Sequence, residues 1–198
     1  MARPQEFDDA PLKKSKNKTG KGKVFERDMY RSLIALHNSS GWAVRQPDIV
    51  GVDAGGRRKN MSGAVSPADF IYCGKLCNML IECKAQQVGK ALSFSRIADH
   101  QRDSLTAFNS VTSHYHFGAI AVCWYNGKVG NQRIWRSWLV PWSRWVENEI
   151  KCGRKSVPLS HFEGEWARFE ATWVPGKAGK NRRFDLDNVV NIIAMEGL

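Results

Sequence analysis

Two segments decide how this chain is read: Ser66-Pro67-Ala68-Asp69-Phe70-Ile71 and, after a short turn, Leu80-Ile81-Glu82-Cys83-Lys84. Ala68–Cys73 and Asn78–Lys84 carry the apolar residues of two strands, with Gly74-Lys75 as a tight turn between them. Side chains along a strand alternate between its faces, so Glu82 and Lys84 project together. Pairing of the two strands then brings Asp69 to join them at one end of the hairpin. Phe70, Ile71, Leu80 and Ile81 predict that both strands are otherwise buried.

Two carboxylates in such a setting repel each other and lose hydration unless a proton or a cation compensates them. A divalent ion does so, and oxygen ligands beside a phosphate favour Mg2+ or Mn2+. Asp69, Glu82 and the backbone carbonyl of Cys83 are the expected metal ligands. The chemistry that follows is hydrolysis of a phosphodiester. The ion polarises the scissile phosphate and acidifies a water, while Lys84 orients that water or stabilises transition-state charge. Glu-x-Lys alone is a weak pattern that also marks ordinary salt bridges. The preceding Asp in an apolar strand is what sharpens it.

Outward from this core, Val24, Phe25, Met29, Leu33, Ile34 and Leu36 recur at helical spacing over Val24–His37, and Asn38-Ser39-Ser40-Gly41 closes that helix. Trp42–Arg45 reads as a short strand. From Asp48 to Ser66 a glycine-rich loop carries Arg57-Arg58-Lys59 at its tip, either a nucleic-acid contact or a surface insertion. Downstream, a helix is expected over Asp99–Ser110, strands over Gly118–Tyr125 and Ile134–Val140, a helix from Pro141 to Ile150, and an amphipathic helix over Asp185–Met195. Trp135, Trp138, Trp142 and Trp145 read as core rather than as a base-stacking platform. The sum is a mixed α/β domain, one sheet with flanking helices, over residues 22–198. Residues 1–21 form a basic, disordered arm with Lys13, Lys14, Lys16, Lys18 and Lys21, a phosphate-seeking or a merely solubilising tail.

Lys and Arg number 30 against 19 Asp and Glu, a net charge of +11, which points to a polyanionic partner, DNA before an anionic membrane. No apolar run is long enough to span a bilayer, and no secretory leader is visible. Five cysteines without a paired framework fit a reducing, cytoplasmic setting. His114-x-His116 is too little for a structural zinc site. Gly20-Lys21-Gly22-Lys23 lacks both the spacing and the preceding strand of a phosphate-binding loop, which excludes an NTPase.

The Ser66–Asp69 and Glu82-Cys83-Lys84 halves resemble the PD-(D/E)xK nuclease superfamily, and within it the chain is similar to RecU-type Holliday junction resolvases. Gly22-Lys23-Val24-Phe25-Glu26, His100-Gln101 and Gly153-Arg154-Lys155-Ser156-Val157-Pro158 extend the likeness over about Gly22 to Phe162. The resemblance implies a restriction-endonuclease-like fold and a homodimer that nicks four-way DNA junctions in symmetric pairs alongside the recombination machinery. It implies Asp69 and Glu82 as metal ligands, Lys84 as catalytic, Glu26 as a supporting acid and Gln101 as a polar residue lining the site. Glu26 alternatively serves the positive end of its helix, and Gln101 a solvent face. The family's stalk is shortened here to the arginine-bearing loop, and its threonines before the Asp are replaced by Ser66-Pro67-Ala68. Two other readings remain open: a nuclease with a different DNA target, and a non-catalytic DNA-binding protein.

Overall fold

A computed structural model describes residues 20–46, 50–52, 58–60, 66–111, 115–126, 133–153, 155–174 and 183–196. Residues 1–19 of the expected arm, His114 and Arg57 lie outside these.

The centre of the molecule is a parallel pair, β5 (Asn78–Gln87) and β7 (His116–Asn126), in register from Asn78 against His116 to Gln87 against Tyr125. Parallel strands cannot be joined by a tight turn. The chain crosses between them through β6 (Leu92–Ser93), a 3-10 turn at Phe94–Arg96 and α2 (Asp99–Asn109). From Gly118 to Trp124 every residue of β7 is buried, so its sequence is a continuous apolar run rather than an alternation. On one side of β5 lie β4 (Phe70–Cys73) and β1 (Trp42–Arg45), both antiparallel. Beyond β7 come β8 (Arg133–Pro141), β10 (Glu170–Val174) and β11 (Arg183–Asp185), again antiparallel. The full order is β1-β4-β5-β7-β8-β10-β11. Helices flank this mixed sheet, the α/β arrangement of one sheet with flanking helices expected from the sequence.

α1 (Gly20–Ser40) buries Phe25, Met29, Leu33 and Leu36, spaced three and four residues apart along one face. It touches both β1 and β11, the two ends of the strand order, so the sheet curls around it. The Ser32 hydroxyl fastens the far end: it donates to the Asp28 carbonyl at 2.7 Å and accepts the Phe184 N–H at 2.7 Å. The rings of Phe25 and Phe184 meet edge to face at 5.9 Å.

α2 and α3 (Trp142–Cys152) pack on β7. The Arg102 guanidinium ties them, donating to both Glu149 carboxylate oxygens at 2.8 and 3.1 Å and to the carbonyls of Phe94 and Ile97. An aromatic layer fills the space beyond. Trp145 meets Phe94 and Trp166, while Phe162 of α4 (Leu159–Glu163) lies between Trp124 and Trp138. Trp138, Trp142 and Trp145 are core residues, as their pattern predicts; the side chain of Trp135 is outside the described set.

Several boundaries differ from the sequence reading. α1 extends past Val24–His37 at both ends, because hydrophobic periodicity registers only its buried stripe and the polar flanking turns carry no such signal. The 48–66 loop contains a small antiparallel pair, β2 (Val50–Val52) with β3 (Arg58–Asn60). The last helix, α5 (Asp187–Glu196), starts later than expected because Asp185 ends β11. Neither β10, β11 nor the two-residue β6–β9 pair (β9 is Ser156–Val157) is legible as a strand in the sequence. These are short and at the margins, where alternation is diluted by exposed positions.

Gly118 has no room for a side chain. A Cβ there would lie 2.8 Å from the Leu105 carbonyl oxygen of α2 and 2.9 Å from the Trp142 Cβ that opens α3. Gly118→Ala should therefore cost about 1–3 kcal/mol of stability through overpacking. Urea unfolding would read this as a lower midpoint at unchanged slope, and a wild-type midpoint would show that both helices can move away.

Candidate active site

The site forms where β4 begins and β5 runs into the middle of the sheet. Asp69 sits on a bend immediately before β4 rather than within the strand. Its backbone nevertheless prolongs the ladder: its N–H donates to the Ile81 carbonyl at 3.1 Å, and its carbonyl accepts the Gln46 N–H at 2.8 Å. The Ser66 hydroxyl donates to the Ala68 carbonyl at 2.6 Å and shapes the approach. The β4–β5 pairing ends with Phe70 opposite Ile81, and because the Asp69 N–H also reaches the Ile81 carbonyl, Asp69 is held beside the Ile81-Glu82-Cys83 stretch of β5. The Asp69 carboxylate is then turned onto β5 itself, where Oδ2 accepts the Cys83 N–H at 2.7 Å.

Alternation along β5 places Glu82 and Lys84 together, and they form an ion pair with Nζ 2.5 Å from Glu82 Oε1. Glu82 is 3% exposed and the Lys84 side chain 13%. Lys84 Nζ also donates to Gln101 Oε1 at 3.2 Å, and that oxygen accepts the Ala98 N–H at 3.1 Å. Gln101 is thus held in the first turn of α2 by the backbone it helps cap. Glu26 of α1 opens onto the same cleft, its Oε2 bound by the Arg45 guanidinium at 2.7 Å. The cleft measures about 500 Å³ and brings Glu26, Asp69, Glu82, Cys83 and Lys84 together. Gln101 joins them through Lys84. Arg58 and Lys59 lie on β3, where only the backbone is described.

Electrostatics follow from burial. The Glu82 carboxyl is pushed up to about 7, first by loss of solvent and then by the neighbouring Asp69 charge, with the Lys84 ammonium and the nearby Gln101 side chain pulling in the opposite direction. Burial, reinforced by Asp69, Glu82 and Glu26, also raises the Cys83 thiol well above its usual range, which keeps it protonated and unreactive. Glu82 Oε1 is engaged by Lys84, whereas Oε2 is buried and, among the described residues, reaches no hydrogen-bond donor. A buried carboxylate oxygen in that condition asks for a proton or a cation. No three His, Cys, Asp or Glu side chains converge as a ready-made metal cluster among the described residues. A bound ion would therefore rest on the Asp69–Glu82 pair, backbone oxygen and water.

Sequence reasoning missed other members of this cleft: Gln86, Lys90, Arg96 and Tyr125. Gln86 was accessible by extending the alternation of Glu82 and Lys84 one step. Lys90 and Arg96 enter from turns, for which the pattern carries no such signal.

No family model matches this chain, and no curated protein matches it in sequence. Among solved structures, the chain is similar to Hjc, a Holliday junction resolvase from Archaeoglobus fulgidus, an archaeal hyperthermophile. The match has 18% identity and a TM-score of 0.31, covering 60% of this chain and 73% of that one. A likeness at that level does not bear on activity, so the chemistry rests on the geometry above.

The raised Glu82 carboxyl sets a sign for stability. Its contribution is fully present below the ordinary carboxylate value of 4.5 and is lost as pH rises through about 7. In the absence of divalent ions, the melting temperature should fall between about pH 5 and about pH 8. Glu82→Gln should flatten that dependence in scanning calorimetry; equal slopes for the two proteins would remove Glu82 as its source.

Proposed function

We propose that this protein is a metal-dependent endodeoxyribonuclease of the PD-(D/E)xK type that resolves four-way DNA junctions in the manner of RecU-type resolvases. The observation that carries the reading is Glu82 Oε2, buried without a hydrogen-bond donor among the described residues, beside Asp69 in an otherwise open cleft. Asp69 and Glu82 fit a Mg2+ or Mn2+ ion, with the Cys83 backbone carbonyl as a further oxygen. Such an ion supplies Lewis-acid activation of the phosphate and an acidified water.

The chain's own groups have definable parts in the reaction. Asp69 is locked by the Cys83 N–H, so its carboxylate needs little reorganisation when substrate arrives. Lys84 brings a positive charge into a nearly dry position and is aimed by Glu82 and Gln101. There it stabilises charge developing on the phosphate or orients the attacking water. Gln101 acts through Lys84, restricting the ammonium to a narrow range of positions. Glu26 adds negative charge at the α1 side of the cleft, tempered by Arg45. A net charge of +11 supplies the attraction for DNA, with Arg57, Arg58 and Lys59 assigned to its backbone. Paired nicks across a junction require two sites related by a two-fold axis, hence a homodimer acting with recombination and repair machinery in the cytoplasm. Among the described residues no helix is long and apolar enough to cross a membrane.

Incubation with Mg2+ or Mn2+ on a labelled four-way junction, a matched duplex and a single strand should give symmetric incision of the junction alone. Equal cutting of the linear duplex would sink junction selectivity. Asp69→Ala should bind DNA without cutting it, and Lys84→Ala should lower single-turnover cleavage by about 10²–10³-fold. Normal cutting by Asp69→Ala removes the site, and binding without cutting by wild type leaves a DNA-binding protein.

A further inference from the structure

The cleft is polarised along β5. Asp69 and Glu82 occupy one end, and past Lys84 the same cleft is lined by Gln86, Lys90 and Arg96. β5 ends at Gln87. A turn containing Gly89, whose φ of +87° suits glycine, returns the chain past Lys90 to β6 and the 3-10 turn that ends at Arg96.

Arg96 is seated against β5. Its Nη1 donates to the Ala85 carbonyl at 2.9 Å and to Gln86 Oε1 at 2.7 Å. Gln86 is itself only 8% exposed, so the oxygen that receives the guanidinium is held in place. Neither bond neutralises the Arg96 charge, since both acceptors are uncharged. Among the described residues neither Arg96 nor Lys90 has a carboxylate partner, although most arginines elsewhere on this surface do: Arg45, Arg102, Arg136, Arg144 and Arg168 are each in an ion pair. An anchored guanidinium with its remaining donors facing an open cleft is an anion site.

The spacing indicates which anion. At about 3.3 Å per residue, Ala85 and Gln86 lie roughly 10–13 Å along the strand from Glu82. A ligand spanning both ends of the cleft must carry more than one anionic group. Building on the nuclease reading above, we infer that Arg96, assisted by Lys90, holds a phosphate adjacent to the scissile one on the same DNA strand. It thereby sets the direction in which that strand crosses Lys84. These are positioning residues: contacts to the backbone fix register and carry no sequence preference.

Equilibrium binding of a four-way junction and of duplex DNA, without divalent metal and across a salt series, tests this independently of cutting. Arg96→Gln should weaken binding about tenfold near physiological salt. It should also lower the slope of log affinity against log salt by about one, for every sequence alike. Lys90→Ala, at an exposed side chain with no hydrogen bond or ion pair among the described residues, should act in the same direction, and Arg96→Lys should keep the wild-type slope. If the DNA is also cut, Arg96→Gln should raise KM with little change in kcat at saturation. Unchanged affinity and slope in both Arg96→Gln and Lys90→Ala overturn the inference even if wild type cuts normally. A wild type that never cuts, yet loses affinity and slope with these variants, overturns the nuclease reading and leaves the phosphate site standing.

Discussion

A carboxylate in a dry strand is the constraint around which this molecule is arranged. Glu82 stands in β5, in register with the buried middle of β7, with Asp69 beside it at the start of the hairpin. Neither burial nor the second charge favours its ionised form, and both push its carboxyl up, to about 7. Lys84, itself held by Gln101, answers it on one oxygen, and among the described residues no hydrogen bond answers it on the other. Replacing this set by apolar residues would ease the fold, as buried ionic groups often cost more than they contribute. Its presence at the edge of an open cleft is therefore an argument about chemistry rather than stability.

Much of the remaining structure keeps that arrangement rigid. Gln101 can aim Lys84 only because the first turn of α2 is fixed, and the adjacent Arg102 fixes it by joining Glu149 of α3 to the carbonyls of Phe94 and Ile97. α2 can lie that close because Gly118 leaves space on β7. At α3 the aromatic layer of Trp145, Trp166 and Phe162 supplies a stiff backing, as large rings in stacked and edge-to-face contact have few alternative packings. On the α1 side, the curl of the sheet brings β11 onto Ser32 and encloses the helix that carries Glu26. The chemistry sits where the two helical layers approach the same strand.

The cleft also divides its charge. Acid groups gather where β4 and β5 meet, and basic groups where β5 turns back through Lys90 to Arg96. That asymmetry suits a polyanion that meets a cation at one end and fixed guanidinium at the other. It arises from topology: the parallel crossover after β5 has to return through this end of the strand before α2 can begin.

Local pattern by itself determined the hairpin, the shared face of Glu82 and Lys84, the buried run of β7 and the apolar stripe of α1, because each depends on the order of side chains within one short segment. Trp138, Trp142 and Trp145 were legible as core because clustered aromatics of this kind more often pack inside than stand as a stacking platform. Asp69 was legible as an acid near Glu82, but not as a residue turned back to bind the Cys83 N–H, since that needs the register of a neighbouring strand. Glu26 and Gln101 entered through family resemblance rather than through spacing, and their approach to the cleft depends on how α1 and α2 lie on the sheet. Gln86 was one alternation step away, whereas Lys90 and Arg96 lie in turns with no period to read. The β10 and β11 strands likewise became strands only by pairing onto β8 and closing around α1. Local pattern selects which face of a segment is buried; which segments then meet is a property of packing, and only the tertiary structure decides it.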